Sequence, residues 1–132
     1  MNENISENMK NKVPEVAFII AAGKKHGIGH VKRCSIIAER GKRYFNSYFC
    51  IPGYEGYSDI KKIVKFPIIN ISDIETRSKI GKVYDLFVTD CRDTGRRFTR
   101  DLARLAPVIS IDDLGRGTMH AVMRIISLPS LK

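Results

Sequence analysis

No apolar run in this sequence approaches the ~20 residues that a membrane-spanning helix requires. The N-terminal stretch "MNENISENMKNK" lacks the charged-then-apolar layout of a secretory signal. A membrane span is therefore excluded as an expectation, and a cytoplasmic location follows by default. Cysteine is sparse: Cys34, Cys50 and Cys91 stand apart, without CxxC or CxxH spacing. Such a set reads as reduced, mostly buried thiols and carries no metal signature, so no metal and no cofactor is expected. Acidic residues are also in deficit, 14 against 23 Lys and Arg, which leaves a net charge of +9. That excess favours an anionic partner without choosing among nucleic acid, nucleotide, phosphosugar and anionic lipid. The cations are dispersed as "GKK", "VKR", "RGKR", "IKK" and "GRR". They form no stripe and are not interleaved with surface aromatics, so nucleic acid ranks last among these partners.

A chain of 132 residues fits one domain and can bury roughly two-thirds of its unfolded surface. Residues 1–12 read as a disordered lead-in, and 13–132 as the domain. "VAFIIAA" (16–22) is a continuous apolar run, as expected of a strand covered on both faces of a parallel sheet. "GHVKRCSIIAERGKR" then changes period. Val31, Cys34 and Ala38 fall on one helical face, and Gly41 is placed as a C-cap. Further strands are expected at 44–51, 66–71, 84–90 and 107–113, with a sixth within "AVMRIISLP". A short helix is expected in "PGYEGYSDIKKIV", and Ser72 or Asp73 is a candidate cap for the segment ending at "IGK". Thr94 is expected to introduce "GRRFTRDLARLA", a helix with Phe98, Leu102 and Leu105 on one face. This β-α-β rhythm predicts an α/β, Rossmann-like three-layer domain with a mostly parallel sheet of about six strands.

In such sheets ligands bind beyond the carboxyl ends of the strands. The chemically interesting residues cluster there: Gly27, Ile28, Gly29 and His30 after strand one, Asp90 at the end of strand four, Asp112 and Asp113 after strand five. The glycines let the chain turn sharply and bring backbone N–H groups toward an anion at the helix start. His30, in the first helical turn, could serve as a general base. Arg33, three residues on, could hold a phosphate or carboxylate, and Asp90 could bind sugar hydroxyls. Adjacent side chains diverge, so Asp112 and Asp113 are not expected to act as a dyad; one orders loops while the other faces the cleft. The pattern is neither a dinucleotide fingerprint, which wants a third glycine, nor a Walker A loop.

"GIGHVKRC" followed by "YDLFVTD" and "VISIDDLGRGTMHA" resembles the G-x-G-H-V-x-R-C, strand-Asp and V-I-x-I-D-D-L elements of the UDP-sugar hydrolases of pseudaminic acid biosynthesis (PseG-type enzymes). These belong to the wider GT-B glycosyltransferase-like group that includes the MurG transferase. The likeness covers roughly residues 14–129, with 44–82 alike in architecture only. It implies the N-terminal, sugar-side half of a two-domain GT-B fold, with His30 assisting water attack at the anomeric carbon and UDP as leaving group. The implied substrate is a nucleotide-sugar, a UDP-linked amino sugar, bound by Gly27, Ile28, Gly29, Arg33, Asp90, Asp112 and Asp113. It further implies that the C-terminal, nucleotide-binding half is absent from this chain and supplied elsewhere, the isolated chain being inactive. Strand one departs from the pattern by ending in "IIAAGKKHGIGH" rather than an acid, which points toward a more anionic ligand. The other expectations are a stand-alone module that binds an anionic sugar or nucleotide without chemistry and, last, a basic nucleic-acid binder.

Overall fold

The computed structural model describes residues 12–20, 28–51, 57–69, 84–91 and 94–126. Six strands form one sheet: β1 (Glu15–Ile20), β2 (Asn46–Cys50), β3 (Ile68–Ile69), β4 (Leu86–Asp90), β5 (Val108–Ile111) and β6 (Met123–Ile125). Among the described residues three α-helices accompany them: α1 (Gly29–Gly41), α2 (Tyr57–Ile63) and α3 (Arg96–Ala103). A 3₁₀ turn spans Arg116–His120. Every strand pair is parallel, in the order β3-β2-β1-β4-β5-β6. The chain builds outward from β1 to β3, then returns to β1's other side and builds outward again. The order thus reverses between β1 and β4, the point at which sheets of this topology take ligands, beyond the carboxyl ends of the strands. The expected Rossmann-like α/β domain is the fold.

β1 illustrates why the sheet lies in the middle layer. Val16, Phe18 and Ile20 pack on one side with Val31, Cys34 and Ala38 of α1 and Ile60 of α2. Ala17 and Ile19 pack on the other side with Phe87, Val108 and Leu102 of α3. An unbroken apolar run is what two covered faces demand. Burying each large side chain here contributes ~2–3 kcal/mol, and Phe18, Phe49 and Phe87 are all fully buried. The spacing of Val31, Cys34 and Ala38 predicted α1's inner face correctly.

Several ends differ from expectation, each for a local reason. Gly41 is the last residue of α1 rather than its cap, and the helix closes on Lys42 in an ordinary right-handed conformation. Glycine is needed there because a Cβ would collide with the Phe45 ring. Tyr44 and Phe45 donate their amides to Gly41 O, at 2.7 and 3.0 Å, so β2 starts at Asn46 rather than at 44. α3, introduced by Thr94 as expected, has Gly95 at its N-cap and starts at Arg96. Asp112, at φ 49°, turns the chain out of β5 at Ile111. The expected Ser72 or Asp73 cap and residues 21–22 and 70–71 lie outside the described residues. Among the described residues no helix is long and apolar enough to cross a membrane.

Candidate active site

The site is built where β1, β4 and β5 end. Ile20, the last residue of β1, lies in register with Asp90, the last residue of β4. Asp90 shares Val88's side of the sheet and therefore faces α1. α1 starts with Ile28 as its N-cap, whose carbonyl accepts the Lys32 amide at 3.0 Å. His30, Arg33 and Cys34 then stand at spacings of three and four, on one face of the helix. All three reach the same carboxylate.

Asp90 is fully buried. His30 Nδ1 lies 2.6 Å from its Oδ1. Arg33 grips it bidentately, Nε to Oδ2 at 2.9 Å and a terminal nitrogen to Oδ1 at 2.5 Å. Cys34 Sγ donates to Oδ2 at 3.4 Å. The remaining guanidinium arm of Arg33 donates to Asp112 Oδ2 at 2.7 Å, so one arginine ties the tips of β4 and β5 to α1. A carboxylate out of water is tolerable only with such compensation, and a planar fork on both oxygens supplies it in the strongest form. The hydrogen bonds to Asp90 hold the Arg33 proton more firmly than usual, outweighing the opposing effect of burial. Burial, reinforced by the nearby Asp90 charge, pushes the Cys34 thiol well above its ordinary range. Cys34 is therefore a neutral thiol donor and not a nucleophile.

These contacts settle the histidine's tautomer. The ring nitrogen beside a carboxylate acceptor must carry a proton, so in the neutral ring the lone pair sits on Nε2. Arg33 also comes within 3.4 Å of Nδ1, but two donors cannot bond, and the 2.6 Å contact to Asp90 decides the assignment. The His30 side chain keeps 15% of its surface exposed. The result is a carboxylate-oriented, partly exposed imidazole at the carboxyl edge of β1 and β4, able in its neutral form to take a proton through Nε2.

The residues singled out from sequence fall into three groups. His30, Arg33, Asp90 and Asp112 are brought together. Arg33 and Asp90 satisfy one another and the protein's own groups, so their polar atoms orient His30 rather than reach outward. Ile28 and Gly29 border the cluster at the start of α1, and nothing stands within 4 Å of where a Gly29 Cβ would lie. Gly27 lies outside the described residues. Asp113 goes elsewhere: fully buried, it accepts the Thr94 amide at 3.0 Å, the Thr94 hydroxyl and the Gly115 amide at 2.8 Å. That carboxylate pins the loop after β5 to the start of α3. The adjacent aspartates do diverge, one to Arg33 and one to the loop.

Two contributors escaped the sequence reading. Cys34 was expected only as a buried apolar residue, although its position four residues after His30 placed it on the same helix face. Thr94 was expected only to introduce the following helix, yet its amide and hydroxyl both serve Asp113. Among the described residues no group of three His, Cys, Asp or Glu side chains is placed to hold a metal ion.

Fold and site together define a Rossmann-like α/β domain carrying an Asp-His pair at the reversal point of its sheet. Comparison with protein-family models, curated proteins and solved structures found no match.

Proposed function

We propose that this domain is the sugar-side half of a nucleotide-sugar hydrolase or glycosyltransferase-like enzyme, with His30 as its general base. The carrying observation is the 2.6 Å contact between His30 Nδ1 and Asp90, which frees Nε2 at the carboxyl edge of β1 and β4. Water, or an acceptor hydroxyl, attacks the anomeric carbon and passes its proton to Nε2. The bond from that carbon to the β-phosphate oxygen breaks, and its electron pair leaves with UDP. The imidazolium so formed lies against the Asp90 carboxylate, which stabilises it. Arg33 keeps that carboxylate fixed. The substrate is a UDP-linked amino sugar, by the resemblance of "GIGHVKRC" and "IDDL" to the hydrolases named above, and a second, UDP-binding half closes the cleft. General-base catalysis contributes about 10²–10⁴-fold, so His30→Ala should lower UDP release by that factor in protein supplied with such a half. Wild-type turnover in His30→Ala would refute the role.

A second reading, a non-catalytic module for an anionic sugar or nucleotide, draws on a different observation. Among the described residues α1 starts with no side-chain cap and no acidic residue in its first turn, an arrangement that suits an anion at its positive end. Titration calorimetry of the chain alone with UDP, UDP-sugars and sugar phosphates separates the two. Binding that survives together with absent turnover, even with the second half present, favours the module.

A further inference from the structure

An ionised carboxylate offers about four lone-pair sites, and the contacts of Asp90 engage all of them. Its Oδ1 meets His30 Nδ1 at 2.6 Å and Arg33 Nη2 at 2.5 Å. Its Oδ2 accepts Arg33 Nε at 2.9 Å and Cys34 Sγ at 3.4 Å. His30 and Arg33 therefore share one oxygen, with Nη2 only 3.4 Å from Nδ1. A guanidinium can fork onto a carboxylate side-on, through Nε and one terminal nitrogen, or end-on, through both terminal nitrogens. Arg33 uses the side-on fork, which turns Nη1 away from Asp90 and onto Asp112 Oδ2 at 2.7 Å. An end-on fork needs Nη1 on Asp90 and gives up that contact.

Asp112 is itself held on both sides before its side chain meets Arg33. It has a left-handed backbone, φ 49°, which aspartate adopts more readily than most residues. Its amide donates to Ile125 O of β6 at 2.7 Å. The next residue is fixed through its side chain, which takes Thr94 and Gly115, and through its carbonyl, which accepts Arg124 at 3.2 Å. An uncommon backbone angle over-determined by its surroundings is typical of functional sites. We infer that Asp112 is a positioning residue for His30: by holding Nη1 it selects the side-on fork, and with it the place of His30 on Asp90 Oδ1. The inference rests on His30 as the base proposed above. It gives Asp112 a role toward Arg33 in place of the substrate contact that the resemblance implied. Without the Asp112 carboxylate the guanidinium can turn end-on, and its terminal nitrogens then compete with Nδ1 for Oδ1.

Nuclear magnetic resonance of the His30 ring and the Arg33 guanidinium, on the chain itself and with the ring neutral, tests this. In the wild type the His30 Nδ1 proton should be resolved, and the two terminal nitrogens of Arg33 should give separate signals. Asp112→Gly keeps the left-handed backbone and removes the carboxylate. Its Nδ1 proton signal should be lost to solvent exchange, and its ring nitrogen shifts should move toward mixed tautomers. Asp112→Asn accepts the same backbone and keeps an oxygen for Nη1, so it should restore both signals. Urea unfolding of each variant establishes that it is folded. Unchanged His30 signals in folded Asp112→Gly, or no restoration by Asp112→Asn, would overturn the inference. Either result leaves the His30–Asp90 pair standing, because Asp90→Asn tests that pair by itself. Should Asp112→Gly unfold, the wild type decides: separate Arg33 signals support the inference, and one averaged signal overturns it.

Discussion

Arg33→Met removes the charge that compensates the buried Asp90 and keeps most of the side-chain volume. Breaking a buried pair by deleting one partner costs 3–5 kcal/mol, because the surviving charge is left without its counterion. Arg33 retains 30% of its side-chain surface in water, whereas Asp90 retains none. Solvent can thus replace part of the lost interaction, and the lower end, about 3 kcal/mol, is expected. Urea unfolding followed by circular dichroism should show the midpoint falling with the slope unchanged. Arg33→Lys, which keeps the charge but not the fork on both oxygens, should fall between wild type and Arg33→Met. The pH dependence has a definite sign. A cation whose proton is held more firmly in the folded state contributes its full stability below its ordinary titration range and loses it only above. Arginine's ordinary range lies above pH 12, so the Arg33 contribution should be flat between about pH 6 and 10. An Arg33→Met protein within about 0.5 kcal/mol of wild type would refute the claim that this pair holds the site together.

Cys34, raised above the ordinary thiol range, stabilises the fold fully below about pH 8.5, and this contribution should fade as pH rises further. Cys34→Ala should flatten that alkaline decline, and in native protein a thiol reagent should leave buried Cys34 unmodified until unfolding. Gly41→Ala drives a methyl group into the Phe45 ring, and about 1–3 kcal/mol of destabilisation is expected by thermal melting. Asp113→Ala strands the buried amides of Thr94 and Gly115, at about 1–3 kcal/mol for each. Hydrogen exchange should speed at those two amides and at Gly117, whose amide donates to Thr94 O at 3.1 Å. Unchanged exchange at these positions would count against Asp113 as the loop's anchor.

The layer architecture was legible because its signals are local. A run without polar interruption marks a strand with two covered faces, and Val31, Cys34 and Ala38 mark the side of α1 that meets it. Element ends were less legible because side chains distant along the chain, or single backbone angles, decide them. Phe45 selects glycine at position 41, and Asp112 adopts a left-handed conformation that ends β5. The site was half legible. The carboxyl-edge rule brought His30, Asp90 and Asp112 to one region, and adjacency alone separated Asp112 from Asp113. The partners of Arg33 were not legible. Its spacing from His30 suggested an anchor for a ligand's anion, but Asp90 and Asp112, 57 and 79 residues away, claim its guanidinium. Register decides that outcome, since Asp90 faces α1 only because it shares the parity of Val88 along β4.

The most direct test of the account is the tautomer of His30, read from the ¹⁵N shifts of its ring near pH 8. The Asp90 contact predicts a protonated, pyrrole-type Nδ1 and a pyridine-type Nε2 in the wild type, with Asp90→Asn releasing that preference. A proton on Nε2 in the wild type would contradict it, because His30 would then have no lone pair on Nε2 with which to accept one.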